Sequence, residues 1–407
     1  MSLKAVILVG GAQKGTRFRP LSFQVPKPLF PIAGIPLVEQ HISQLCESSN
    51  LSEIILLGFY KKEELDDFIT QSEKKYNIPI KYYQEEESLG TCGGILAFKD
   101  KLLDSKPEQI FVLNADICGD LPITEMVDFL NEQKDKKGLI LTTEATRDQS
   151  INYGCVVADE NGTVLHYVEK PTTFVSTRIS CGIYLLKPSI FEAIENFKTT
   201  SGNEQIWFET DIFPEMASNN SLCALYTQRW WSQTKTAGAA LYANRHYLRL
   251  YKEKHPTRLA SKEKNSCNIE GDVYIDSTAK IHPTAKIGPN VSIGSDVIIG
   301  PGVRIKESIV LSNSVIEQHS CILHSIIGWG SQVGCWARVE GTSIAPNPNI
   351  PFAKLDNKVL FNNDGRLNPS LTILGSGVHV ADESVVLNCV VLPFKELTSS
   401  FKNQIIL

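Results

Sequence analysis

A glycine pair followed by three cations carries the first chemical signal of the chain: Gly10-Gly11, then Arg17 and Arg19, then Lys27 within Pro26-Lys27-Pro28-Leu29. Glycines at the end of an apolar run expose peptide N–H groups, and such donors beside fixed positive charge suit a polyphosphate. The spacing fits neither G-x-x-x-x-G-K-[ST] nor G-x-G-x-x-G, so neither a Walker loop nor a dinucleotide fingerprint is supported. The glycine pair alone reads as an ordinary strand-to-helix turn with surface cations. With Arg17, Arg19-Pro20 and Pro26-Lys27-Pro28 in order, the anion cradle is the better reading. Farther along, Asp116 ends the apolar run Val112-Leu113-Asn114-Ala115. That is the carboxyl edge where α/β sheets hold ligands, the alternative being a helix cap.

The elements that position these groups follow from periodicity. Residues 4–9 are a short branched apolar run, read as a buried strand entering the glycine turn. Apolar strands at 53–57, 110–113 and 139–142 alternate with helix-like runs at 63–75 and 123–133, the pattern of an α/β domain on a mostly parallel sheet. This Rossmann-like domain is expected over residues 1–251, with a polar connector at 252–268.

From 269 to 407 the period becomes six. Ile275, Ile281, Ile287, Ile293, Ile299 and Ile305 recur at that spacing, with Gly288, Gly294 and Gly300 each after an isoleucine. One apolar residue per face and a small residue per corner describe a left-handed parallel β-helix. Val315, Cys321, Ile327, Val333 and Val339 continue the expected inward series. Residues 342–371 interrupt it, through Thr342, Pro346-Asn347-Pro348-Asn349, Asp364, Gly365 and Leu371. Loops of that length are usually functional or disordered.

Composition excludes several classes. With a net charge of -5 and both signs interspersed, there is no basic footprint for nucleic acid. No apolar run spans a membrane and no secretory leader is evident, so a cytoplasmic protein is expected. Ten cysteines without a C-x-x-C pair fit reduced thiols, neither zinc-bound nor cross-linked.

Several motifs in order carry a family resemblance: Pro26-Lys27-Pro28-Leu29-Phe30, Leu89-Gly90-Thr91, Val112-Leu113-Asn114-Ala115-Asp116, Tyr153-Gly154, Glu169-Lys170-Pro171 and Asn403-Gln404-Ile405-Ile406-Leu407. The chain resembles sugar-1-phosphate nucleotidyltransferases with a hexapeptide-repeat β-helix, and most closely eukaryotic mannose-1-phosphate guanylyltransferase subunits. The resemblance implies attack of a sugar phosphate on the α-phosphorus of GTP, a reaction of positioning and charge neutralisation. It implies Arg17 and Lys27 as catalytic cations, Asp116 as a Mg²⁺ ligand, and Glu169 and Lys170 at the sugar phosphate. It also implies Gly10, Gly11, Gly90 and Gly154 around a nucleotide sugar. Glu85 falls where relatives read the base, and a carboxylate accepts from both N–H donors of guanine; a solvated acidic run, Glu85-Glu86-Glu87, is the plainer alternative.

Two departures weaken catalysis. Relatives carry G-G-x-G-T-R-L-R-P, whereas Gln13 and Lys14 are extra here, adding up to roughly 7 Å of contour. Relatives also carry W-x-D, whose aspartate is the second Mg²⁺ ligand; here the segment is Trp231-Ser232-Gln233. An amide supplies a dipole where a charge is needed. Ser180 replaces the asparagine many relatives place before Cys181-Gly182-Ile183-Tyr184.

These departures and the interruption resemble those of the family's non-catalytic alpha subunits. The resemblance then implies GDP-mannose binding at a degenerate pocket, pairing with a catalytic beta subunit, feedback inhibition through the loop, and self-association. Mg²⁺ would be weakly bound at Asp116 and unnecessary to that role. An active guanylyltransferase, an acyltransferase using a solenoid histidine (His282, His319, His324 or His379) and a ligand-free scaffold are the rival readings.

Overall fold

The computed structural model describes residues 2–13, 15–261, 267–356, 361–363, 365 and 367–407. The chain forms two compact units. The first comprises Met1–Lys14, Val38–Trp231 and Asn347–Lys354; the second comprises Gly15–Leu37, Ser232–Pro346 and Leu355–Leu407.

The first unit is built on a nine-stranded sheet. The apolar run near the N-terminus is the strand Leu3–Gly10, paired in parallel with Leu51–Gly58 on one side and Gln109–Asn114 on the other. Its Ala5, Val6 and Ile7 are fully buried, as expected of a central parallel strand covered on both faces. Ile80–Gln84 extends the parallel set beyond Leu51–Gly58. Arg178–Leu186 runs antiparallel to both Gln109–Asn114 and Gly138–Glu144, while Leu222–Tyr226 pairs with Gly138–Glu144 in parallel. The sheet is therefore mixed, with its parallel half bearing the glycine turn. The helices Asp66–Tyr76 and Ile123–Glu132 stand where the sequence alternation places them.

One charge is buried inside this unit. Lys4 is 1% exposed, its ammonium 2.9 Å from the Glu53 carboxylate and also paired with Asp104. Two acidic partners offset the desolvation of one cation.

The second unit is a solenoid with three flat faces. Parallel strands stack into sheets of seven, seven and six, the left-handed β-helix its period implies. Ile287, Ile293, Ile299 and Ile305 point inward and are almost fully buried. The strict six-residue series then fails: Ile316 and Ile322 are buried, whereas Val315 and Cys321 are only half-buried. Registers explain the correction. Lys286 pairs with Arg304, a step of eighteen, but Arg304 pairs with Cys321 and Ser292 with Ile309, steps of seventeen. A corner one residue shorter between Ile305 and Val310 moves the next inward positions to Ile316 and Ile322. A second five-residue corner between Ile322 and Ile327 brings the series back, so Ile327, Val333 and Val339 are buried as expected.

The interruption leaves the solenoid without breaking its stack. Strand Arg338–Glu340 pairs directly with Val385–Leu387, and Ser325–Ile327 with Thr372–Leu374. Thr372 Oγ1 donates to the Glu340 carbonyl across the gap. The excursion is thus a corner insertion.

Helix Ala237–Lys254 belongs to the same unit, begun by a Thr236 hydroxyl that accepts from the Ala239 N–H. Its fully buried Asn244 accepts from the Ala33 N–H (2.9 Å) and the Ser292 hydroxyl (2.6 Å). Arg245 pairs with Glu307 at 2.9 Å, and Asn290 donates to the other Glu307 oxygen. Residues 252–254, the start of the expected connector, complete this helix. Residues 262–266 fall outside the described residues.

Candidate functional site

In the first unit the site elements gather at the carboxyl ends of the parallel strands. Gly10 ends its strand at φ +70°, a left-handed conformation that disfavours a side chain. Its carbonyl accepts from the Phe59 N–H at 2.7 Å, and a Cβ on Gly11 would stand 2.7 Å from Phe59 Cβ. The turn is therefore tight because the neighbouring strand end closes on it. Gln13 lies in the exposed part of the turn, and Lys14 falls outside the described residues.

Glu85 follows the strand Ile80–Gln84, its N–H donating to Gly58 O at 2.7 Å. Its carboxylate lies against the helix Gly90–Ala97, where a Cβ on Gly94 would approach Glu85 Oε1 to 2.3 Å. Glu86 and Glu87 are exposed. Gly90 opens that helix, and Thr91 donates to the Glu209 carboxylate at 2.8 Å.

Asp116 is half-buried in the two-residue turn between strands Gln109–Asn114 and Ile117–Gly119, so its apolar strand ends two residues before it. Beneath this turn sits His41, fully buried on the helix Leu37–Leu45. Its ring faces the backbone at Ala115 and Ile117, yet neither ring nitrogen attains a well-formed hydrogen bond. Burial lowers its pKa to about 4, and the nearby Asp116 charge only partly opposes that. His41 is a neutral support under a carboxylate-bearing turn.

Glu169 and Lys170 are joined to each other. Lys170 Nζ lies 2.8 Å from Glu169 Oε1, and the Tyr167 hydroxyl donates to Glu169 Oε2 at 3.2 Å. Gly154 makes room, since a Cβ there would stand 2.1 Å from the Tyr167 oxygen and 2.8 Å from Glu169 Oε2. The Lys170 N–H donates to Tyr153 O at 3.1 Å. Behind them Glu209 is half-buried, its carboxyl accepting from Thr91 and Tyr184. Burial raises its pKa and those two donors lower it.

Trp231 completes this part of the first unit. Its indole N–H donates to Cys181 O at 3.0 Å, and the Tyr153 ring meets it edge-on with centroids 5.7 Å apart. Onto that pair comes Lys354, the last residue of Asn347–Lys354. Its ammonium lies 5.6 Å from the Trp231 ring centroid, a cation–π distance. Gln149 holds its backbone twice, donating to Lys354 O at 2.8 Å and accepting from Lys354 N–H at 2.7 Å. Burial lowers the Lys354 pKa, while Cys181 and Glu144 pull it upward.

Most of the remaining expected residues belong to the second unit. Arg17 is exposed in the turn Thr16–Phe18. Lys27 lies 5.6 Å from the Phe18 ring centroid, and Phe18 packs edge-on against Phe30. Gln233 presents a buried Oε1 with no hydrogen-bond partner. Of the expected regulatory residues, Thr342 bonds Asn388 at 3.0 Å, Leu371 is buried and the Gly365 N–H donates to Asn362 O. Pro346 ends its segment of the second unit; Asn347, Pro348 and Asn349 belong to the first; Asp364 lies outside the described residues. Gln149, Glu209, His41 and Lys354 were not among the expected site residues.

Among the described residues, no group of three or more His, Cys, Asp or Glu side chains is placed to hold a metal ion. No described helix is long and apolar enough to cross a membrane, and all ten cysteines are unpaired.

Comparison with known proteins agrees with this architecture. Residues 4–249 match the nucleotidyl transferase family, and residues 269–406 match the GMPPB C-terminal domain. The chain is 50% identical over 422 residues to the mannose-1-phosphate guanylyltransferase regulatory subunit alpha-A of Danio rerio, covering 100% of both chains. It is 50% identical over 421 residues to the regulatory subunit alpha of Homo sapiens, again covering 100% of both. A crystal structure of a putative glucose-1-phosphate thymidylyltransferase from Bacillus anthracis, in complex with a sucrose, superposes with a TM-score of 0.50 at 20% identity. It covers 60% of this chain and 94% of that one, a likeness of fold alone. The chain belongs to the nucleotidyl transferase family, alongside relatives named as alpha regulatory subunits of mannose-1-phosphate guanylyltransferase.

Proposed function

We propose that this protein is the regulatory subunit of a mannose-1-phosphate guanylyltransferase complex, binding GDP-mannose and mediating feedback inhibition of a catalytic beta subunit. The observation that carries the reading is Gln233. An amide with a buried, unpartnered oxygen stands where the resemblance calls for a second Mg²⁺-binding carboxylate. Magnesium in nucleotide sites is held by one or two carboxylates with substrate phosphates. Asp116 with a neutral amide fits that set poorly, so Mg²⁺ is weakly held and the regulatory role requires none.

Binding needs less than turnover. In the first unit, Gly10 and Gly11 offer a tight backbone turn, Glu85 a pair of acceptors for guanine, and Asp116 and Lys170 polar groups for the sugar diphosphate. Lys27, Arg17 and Gln233 join that set through the resemblance. Allostery requires that GDP-mannose favour one of two arrangements of the complex, and the loop at 342–371 is the element assigned to that coupling. The protein acts in the cytoplasm and self-associates in this reading.

Turnover of GTP and mannose-1-phosphate by the pure chain tests it. Negligible turnover, partly restored by Gln233→Asp, supports the reading; robust turnover lost on Asp116→Ala would make the chain an enzyme. Calorimetry with GDP-mannose separates sensor from scaffold, because a scaffold gives no binding heat. Deletion of residues 342–371 should abolish feedback inhibition of the reconstituted complex.

A further inference from the structure

Lys354 is the unassigned charge of the first unit. The chain leaves the second unit after Pro346, contributes Asn347–Lys354 to the first, and returns at Leu355. The segment is organised by its own turns: Asn347 Oδ1 accepts from the Asn349 N–H at 3.0 Å, and Ala353 N–H donates to Ile350 O. At its end Gln149 grips both backbone groups of Lys354, so the residue is delivered to a fixed place. Gln149 is itself held by the capping turn begun at Thr146.

The delivered side chain is half-buried against Trp231. Among the described residues no carboxylate forms an ion pair with its ammonium. Removing an ammonium from water without an anionic partner is unfavourable, and a ring face returns only part of the loss. Two neighbours tie the residue to the rest of the site. Tyr153, which packs on Trp231, accepts from the Lys170 backbone N–H, so the Glu169-Lys170 segment and the aromatic pair are joined by a main-chain hydrogen bond. The Glu169 carboxylate is already engaged by Lys170 and Tyr167, and the Glu144 charge favours the Lys354 ammonium without forming an ion pair with it.

We propose that Lys354 is an anion-binding residue of this site, supplied by the solenoid's interruption to pair with the phosphate oxygens of a phosphorylated ligand. The proposal rests on the ligand reading above and deepens it. Binding and the position of the interruption are then coupled through one ion pair.

The test uses the full chain. Acetylation of Lys354 by an amine-reactive ester is followed by peptide mass spectrometry, without ligand and with GDP-mannose, GDP, mannose-1-phosphate or pyrophosphate. Phosphorylated probes should slow modification of Lys354 at least about threefold while guanosine does not. Affinities are measured in parallel for Lys354→Met and Lys354→Arg. Methionine should weaken phosphorylated ligands by about tenfold or more, the worth of one charge-assisted hydrogen bond, and arginine should keep most of the affinity. Unchanged or tighter binding by Lys354→Met would overturn the proposal, tighter binding marking Lys354 as an occluding plug. Protection by pyrophosphate or GDP without GDP-mannose binding would leave the anion site standing and remove the proposed sugar ligand. GDP-mannose binding with no protection of Lys354 would do the reverse.

Discussion

His41 makes acid sensitivity of the first unit a quantitative matter. Burial lowers its pKa from 6.5 to about 4, so between those values the unfolded chain binds a proton that the folded chain refuses. The stability contribution is fully present above about pH 6.5, declines as pH falls, and is exhausted near pH 4. A shift of roughly 2.5 units corresponds to about 3 kcal/mol in total, and to about 1.4 kcal/mol already lost at about pH 5.5. Replacing the residue by leucine removes the titration while keeping an apolar body under the Asp116 turn. Urea unfolding of wild type and His41→Leu at a series of pH values from about 7.5 to 4.5 isolates the residue. His246, also lowered to about 4 in the second unit, and the carboxylates titrate in both proteins and cancel in the difference. The gap between the two stability curves should change by about 1.4 kcal/mol on going from about pH 7.5 to 5.5, moving in favour of the variant. Parallel curves would show that His41 reaches solvent or a hydrogen-bond partner, and the account of a neutral buried support would be wrong.

Gly94→Ala would place a Cβ 2.3 Å from the present position of Glu85 Oε1. The far end of a flexible side chain yields readily, so thermal unfolding should change little while calorimetric GDP-mannose affinity drops by about tenfold; unaltered affinity would dismiss Glu85 as the base reader. In the solenoid, Ile316→Ala should cost about 2–5 kcal/mol and Val315→Ala less than about 1 kcal/mol in denaturant titrations. A strict six-residue repeat demands the opposite order. Gly328→Ala would bring a Cβ within 2.2 Å of Gly375 O, a backbone atom that cannot swing aside. A loss of about 1–3 kcal/mol and a lower melting temperature are expected, and a neutral result would mean that the coils flanking the interruption are less closely stacked than described.

The contrast between Val315 and Ile316 shows where sequence reasoning ends. Both are apolar and adjacent, so a period of six cannot choose between them once one corner is shortened. The choice is made by the registers of neighbouring coils. The α/β alternation was legible because strands such as Leu3–Gly10 and Gln109–Asn114 are buried on both faces and read as unbroken apolar runs. The position of Asp116 near such a run's end was legible, although the strand stops at Asn114. His41 and Glu209 were not legible, since their meaning lies in burial and in partners far along the chain.

Lys354 is the extreme case, gripped by Gln149 across 205 residues. Nothing local marks it, yet the solenoid explains how such a residue becomes available. Coils on either side of residues 342–371 pair as if adjacent, so the stack fixes both ends of the excursion. Closing a longer loop between fixed ends adds only slowly to its entropy cost. Residues inserted at a corner are therefore relieved of the repeat's apolar requirement, and polar or cationic side chains there leave the core intact. An interruption of a repeat is the place in such a chain where a charge can be carried to another unit with least damage to its own. For the same reason, shortening residues 342–346 or 355–371 while keeping Asn347–Lys354 should disturb the delivery of Lys354 before it disturbs the β-helix.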